Sequence, residues 1–116
     1  MTPVFADTSF YVAALNPSDS LHAKATAIAG TLRGPVVTTE FVLLEVANFL
    51  SKIKFRPLFT GLVMNLRAAP DVEIVPASAD LFAAAVQLFD ARPDKEWSLA
   101  DCTSFVVMTN AGLPTP

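Results

Sequence analysis

Short apolar runs alternate along the chain with longer stretches in which apolar positions recur every three or four residues. The short runs predict buried strands at residues 4–6, 36–37 and 72–75. The longer stretches predict helices at residues 10–15, from 18 or 19 to 32, from 38 or 39 to about 53, 57–69, from 78 or 80 to about 91, and from a cap at 98 to about 111. Strands that alternate with helices are typical of an α/β domain with a parallel sheet.

Composition narrows this picture to one globular domain over residues 1–116. Hydrophobic residues make up 53% of the chain and charged residues 16%, which excludes intrinsic disorder. The longest apolar run, 41–50, contains Glu45 and Asn48, so it is not the uninterrupted span that a bilayer requires. The amino end lacks the basic region of a signal peptide, and the single Cys102 excludes an internal disulfide. We therefore expect a cytoplasmic protein.

Three acidic residues stand out in a chain with few charges. Asp7 follows the first strand, at the edge of the sheet where ligands bind, although taken alone it is more typical of a cap for the next helix. Glu45 lies in an apolar helix with no cation three or four residues away, although it could share a solvent-facing stripe with Asn48 and Lys52. Asp101 has the spacing of a capping box with its preceding serine. If the three carboxylates lie together at one edge of the sheet, their mutual repulsion requires a neutralising cation. Carboxylate oxygens favour Mg²⁺ or Mn²⁺ as that cation.

Other kinds of chemistry lack the residues they need. The four glycines are scattered, so there is no glycine-rich phosphate loop. The only histidine, His22, has no partner in the sequence, and we interpret it as a surface residue. The segment 52–56, with the sequence KIKFR, carries three cations around a phenylalanine. Two interpretations are open: the segment contacts the backbone of a nucleic acid, or it is a solvated helix end. The net charge of −3 gives no global attraction for nucleic acid.

Three segments in order match motifs of a known family: VFADTSF at 4–10, TTEFVLLEV at 38–46 and DKEWSLADC at 94–102. They resemble the PIN-domain ribonucleases, and most closely the VapC toxins of toxin–antitoxin pairs. This resemblance implies a Rossmann-like α/β/α sandwich and a ribonuclease that uses Mg²⁺ or Mn²⁺. It implies Asp7, Glu45 and Asp101 as catalytic, metal-binding acids, and gives Asp94 a weaker claim. It also implies an antitoxin that covers the acidic site, and a homodimer.

The sequence departs from the family pattern near its carboxyl end. The family continues past Gly112 into a strand with a T-x-D acid and then a last strand, with strand order 3-2-1-4-5, whereas this sequence reaches Pro116 without them. We therefore expect a truncated sandwich in which strand one is an exposed edge, prone to dimerise, bind a partner or aggregate. The alternative functions are a non-cleaving module that binds an antitoxin or RNA, and a housekeeping hydrolase.

Overall fold

The computed structural model describes residues 2–31 and 34–116. Its sheet has three parallel strands, β1 (Val4–Phe5), β2 (Val36–Thr39) and β3 (Val72–Val75), with β2 in the centre. Val4 aligns with Val36, which aligns in turn with Val72. The predicted strands, their parallel pairing and the order 3-2-1 are confirmed. Within the described residues β1 pairs with β2 alone, so its outer edge has no neighbouring strand.

Helices connect and cover the strands, as the longer apolar periods predict. They are α1 (Thr8–Leu15), α2 (His22–Thr31), α3 (Glu40–Phe49), α4 (Arg56–Ala68), α5 (Ala79–Ala91) and α6 (Leu99–Asn110), with a 3₁₀ turn at Ile53–Phe55. No helix in the described part of the chain combines the length and hydropathy of a membrane span.

The two faces of the sheet bury separate apolar clusters. Val36 packs with a cluster centred on Val46 and Leu50, which side chains of α1 and α4 cover. The next residue, Val37, points to the opposite face and packs with Leu81 of α5 and Val107 of α6. Successive residues of a strand point to opposite faces, so β2 is buried on both sides. This gives the expected α/β/α sandwich.

Two predicted helix ends are wrong by at least three residues, and in both places a polar side chain binds the backbone. Helix α3 ends at Phe49 rather than near residue 53, because the Ser51 hydroxyl donates to the carbonyl oxygens of Ala47 and Asn48. Helix α2 begins at His22 rather than near residue 19, because Asp19 accepts a hydrogen bond from the backbone N–H two residues later and forms a turn. The predicted end of α2 at residue 32 lies outside the described residues.

The interpretation of His22 as a surface residue is only part of its role. The ring is half-buried, and its Nδ1 lies 2.8 Å from the carbonyl oxygen of Ala13. The histidine therefore links the start of α2 to α1, which is a structural role.

Candidate active site

The three acids singled out in the sequence line one open cleft of about 430 Å³. Asp7 reaches it from the end of β1, Glu45 from the middle of α3 and Asp101 from the first turn of α6. The other lining residues are Thr8, Ser9, Val12, Asp19, Phe49, Ser98, Ala100 and Ser104. The cleft thus lies beyond the carboxyl end of a parallel strand, where open α/β sheets bind their ligands.

Asp7 serves as a helix cap and also faces the cleft. Its Oδ1 accepts hydrogen bonds from the backbone N–H of Phe10 and the hydroxyl of Ser9, each 3.1 Å long. The bond to Phe10 satisfies one of the free N–H groups at the start of α1. The cap interpretation and the site interpretation of Asp7 are therefore compatible.

Glu45 is half-buried and held in place by a distant part of the chain. The hydroxyl of the buried Thr8 donates a short hydrogen bond to Glu45 Oε1. The stripe shared with Lys52 does not form, because α3 ends before that residue. A carboxylate at such a position needs a polar partner, and Thr8 supplies one while leaving the negative charge uncancelled.

Asp101 takes part in the predicted capping box. Its Oδ2 accepts from the backbone N–H of Ser98 at 3.0 Å, and the Ser98 hydroxyl accepts from the backbone N–H of Asp101 at 2.9 Å. This pair fixes the start of α6 and therefore the backbone position of Asp101.

Each of the three carboxylates keeps one oxygen outside these bonds. The hydrogen bonds fall on Oδ1 of Asp7, Oε1 of Glu45 and Oδ2 of Asp101. The second oxygen of each forms no hydrogen bond to any described residue. Three acids with one uncommitted oxygen apiece have the donor chemistry of a site for a hard divalent cation.

The charge of the cleft is uniformly negative. Asp19 joins the three predicted acids in the lining, and no lysine, arginine or histidine is among the lining residues. In residues 2–31 and 34–116, however, no three His, Cys, Asp or Glu side chains stand close enough to hold one ion. A shared ion therefore requires the exposed side chains of Asp7 and Asp101 to turn towards Glu45.

Sequence reasoning missed Thr8 and Asp19 as members of the site. Asp19 lies in the turn before α2, and its Oδ1 accepts from the backbone N–H of Leu21 at 2.8 Å. A capping role was the only one its sequence context suggested. Thr8 follows Asp7 directly, but only the fold brings its hydroxyl to a helix 37 positions further along the chain.

Two groups of basic side chains lie outside the cleft lining. In the loop before α6, the guanidinium of Arg92 is 5.3 Å and the ammonium of Lys95 is 5.7 Å from the ring centre of Trp97. The basic segment 52–56 is largely exposed at the far end of α3 and contributes nothing to the cleft lining. Both interpretations of that segment remain predictions.

Cys102 follows Asp101 in the sequence but is not among the residues that line the cleft. Its side chain is fully buried, and burial raises the pKa of the thiol above its ordinary value of 9.0. The thiol is therefore neutral at neutral pH and serves as a small core residue, as predicted.

Comparisons with known proteins agree with this architecture. A family model described as "PIN domain" matches residues 4–115. Two relatives from Mycobacterium tuberculosis, of strains CDC 1551 / Oshkosh and H37Rv, bear the name 23S rRNA-specific endonuclease VapC20. Each is 31% identical over 111 residues, which cover 95% of this chain and 83% of the relative.

The comparison extends to a solved structure. The crystal structure of Mycobacterium tuberculosis VapC20, described as a sarcin-ricin loop cleaving toxin, matches with a TM-score of 0.85 and 28% identity. The match covers 95% of this chain and 84% of that one. The mixed α/β fold with its parallel sheet agrees with these matches. The chain belongs to the PIN domain family and is homologous to the VapC20 endonuclease toxin.

Proposed function

We propose that this chain is a metal-dependent endoribonuclease that hydrolyses RNA phosphodiester bonds, and that it is the toxin of a toxin–antitoxin pair. The observation that carries the proposal is that Asp7, Glu45 and Asp101 line one cleft, and that no lysine, arginine or histidine is among its lining residues. Homology to an RNA endonuclease supports the same reaction. Since the relatives are named for 23S rRNA, the sarcin–ricin loop is the first substrate to test.

In this proposal the three acids hold Mg²⁺ or Mn²⁺ through their uncommitted oxygens. Such an ion would supply an activated water as nucleophile and stabilisation of the leaving oxygen. The chain itself positions the ligands. Thr8 orients Glu45, and Asp7 and Asp101 cap the starts of α1 and α6 at the cleft.

The test is cleavage of an RNA hairpin with the sequence of the sarcin–ricin loop, in Mn²⁺ and in EDTA. We expect cleavage by the wild type in Mn²⁺ and none in EDTA or with Asp7→Asn, which keeps a capping side chain of similar quality. The control is Asp90→Asn, an exposed aspartate of α5 outside the cleft, and it should cleave like the wild type. Equal cleavage by Asp7→Asn would contradict the proposal. Tight RNA binding without cleavage would favour the non-cleaving alternative.

The proposed partners are an antitoxin and a second copy of the chain, in the cytoplasm. An antitoxin that covers the cleft needs basic side chains, since the lining carries four acids and no cation. The exposed outer edge of β1 is one surface through which two chains could pair. Size-exclusion chromatography with light scattering tests the dimer, and a monomer over a wide concentration range would contradict it.

A further inference from the structure

A second, smaller cavity adjoins the acidic cleft. It measures about 200 Å³, and Glu45 and Ala100 line both spaces, so that the two are adjacent. The remaining lining residues are Phe41, Leu44, Asn48, Phe82, Leu99 and Thr103. The cavity therefore opens directly beside the acid that Thr8 holds in place.

The walls of this cavity are apolar and unusually exposed. Leu44 is 61% exposed and Phe82 is 48% exposed, while Phe41 is half-buried between them and the core. Apart from Glu45 the lining carries no charge, so the cavity has nothing to attract a phosphate. Exposed apolar and aromatic groups gathered in a concave site are typical of a binding surface.

The size and the polar group of the cavity favour one flat heterocycle. Pockets for drug-sized ligands begin at roughly 300 Å³, and this cavity is smaller. Asn48 is exposed and its side-chain amide forms no hydrogen bond to a described residue. An amide offers both a donor and an acceptor, which is what the polar edge of a nucleobase requires, while the phenylalanine rings offer faces for stacking.

The spacing along α3 joins this cavity to the chemistry. Phe41 precedes Glu45 by about 6 Å along the helix axis, and Asn48 follows it by about 4.5 Å. We propose that the cavity binds one unstacked nucleobase of an RNA strand whose backbone lies in the acidic cleft, with Asn48 reading the edge of the base. This inference rests on the proposed function. It identifies the cavity as the part of the proposed nuclease that determines which RNA sequence it prefers.

The test is equilibrium binding of fluorescein-labelled single-stranded RNA tetramers that differ in one base. Binding is measured by anisotropy in Ca²⁺, another hard cation for carboxylate ligands, with a parallel series in EDTA. We expect Phe82→Ala and Asn48→Ala to weaken binding roughly tenfold, and Asn48→Ala also to remove the preference among bases. Phe82→Tyr keeps the ring and should bind like the wild type.

The matched controls lie outside the cavity. Phe89→Ala removes an exposed phenylalanine of the same helix, α5, and Asn65→Ala removes an exposed asparagine of α4. Both should leave binding unchanged. If Phe82→Ala and Phe89→Ala instead both alter the mass seen by light scattering while RNA affinity stays constant, the face is a protein interface and the proposal is wrong.

The outcomes also separate this proposal from the proposed function. Base-dependent binding that Asn48→Ala abolishes, in a protein that does not cleave RNA in Mn²⁺, supports the base site and contradicts the nuclease. Cleavage in Mn²⁺ whose base preference survives both Phe82→Ala and Asn48→Ala supports the nuclease and overturns the base site.

Discussion

Asp94, in the loop before α6, and the acids of the cleft differ in what balances their charge. In the loop before the helix, Asp94 accepts two hydrogen bonds of 2.9 Å from the guanidinium of Arg92. That cation holds the pKa of Asp94 down at about 2. In the cleft, Asp101 and Glu45 are bonded only by N–H and hydroxyl donors, which orient a carboxylate without neutralising it.

The difference separates two acids of one motif. Asp94 and Asp101 both belong to the segment that resembles the third family motif, and the resemblance gives Asp94 the weaker claim. Asp94 does not line the cleft, and its charge is already paired. Of these two aspartates, we therefore expect Asp101 and not Asp94 to bind a metal. A carboxylate whose charge is already paired with a neighbouring cation attracts a metal ion weakly.

The largest expected effect is on cleavage. Asp101→Asn should lower the rate in Mn²⁺ at least about a hundredfold, since one ligand of a catalytic ion contributes several kcal/mol. Asparagine can still accept the hydrogen bond from the Ser98 N–H, so the helix should remain intact. Asp94→Asn is the matched variant and should keep most of the rate. The rates are measured as initial rates of cleavage of one RNA. If both variants lose the same fraction of the rate, the proposed difference between Asp94 and Asp101 is wrong.

The second effect is stabilisation by metal. A cation that binds the folded cleft should raise the free energy of unfolding by about 2.7 kcal/mol at one hundred times its Kd. Thermal melts with and without Mn²⁺ should show this rise in the wild type and in Asp94→Asn, and should not show it in Asp101→Asn. Identical melts with and without millimolar Mn²⁺ in the wild type would mean that the cleft is not a metal site.

The third effect is on the support of Glu45. Thr8→Val preserves the shape of a buried side chain but removes the hydroxyl that donates to Glu45. A hydrogen bond to a charged group contributes roughly 1.5–3 kcal/mol, and urea unfolding should show a loss of that order. Thr8→Ser keeps the donor and should lose less. If valine proves as stable as threonine, Glu45 does not depend on this bond.

The smallest effect is the pH dependence of the Arg92–Asp94 pair. The pKa of Asp94 in the folded chain, about 2, lies below its ordinary value of 3.8. The pair therefore stabilises the fold above that ordinary value, and the contribution disappears as the pH falls towards 2. The difference in unfolding free energy between wild type and Asp94→Asn should shrink accordingly between neutral pH and pH 2. Because the pair is exposed, 1 M NaCl should also reduce the difference at neutral pH.

The strands and the type of each helix could be predicted from the periods of apolar residues, because burial on one or two faces imposes those periods directly. The start of α2 and the end of α3 could not be predicted in this way. The side chains of Asp19 and Ser51 form hydrogen bonds with the backbone there, and the pattern of apolar residues does not reveal these bonds. Competition of this kind between polar side chains and the helix backbone depends on local geometry.

The candidate site likewise contains residues that could be predicted from the sequence and residues that could not. Asp7, Glu45 and Asp101 could be found because each lies in a motif with apolar neighbours that make a charge conspicuous. Thr8 and Asp19 lie in ordinary turn and cap contexts, and only the tertiary fold brings them to the cleft. The roles of the three predicted acids remain predictions until the variants above are measured.

The hydrogen bond between Thr8 and Glu45 joins residues 37 positions apart, and the last acid arrives only with α6. During synthesis, a chain whose α6 is still within the ribosome has the first two acids but no complete cleft. Domains fold as units once their elements have emerged, so nuclease activity would be withheld until nearly all of the described chain is free. For a protein proposed to cut RNA, this order of assembly keeps the three acids apart until the last of these helices has emerged.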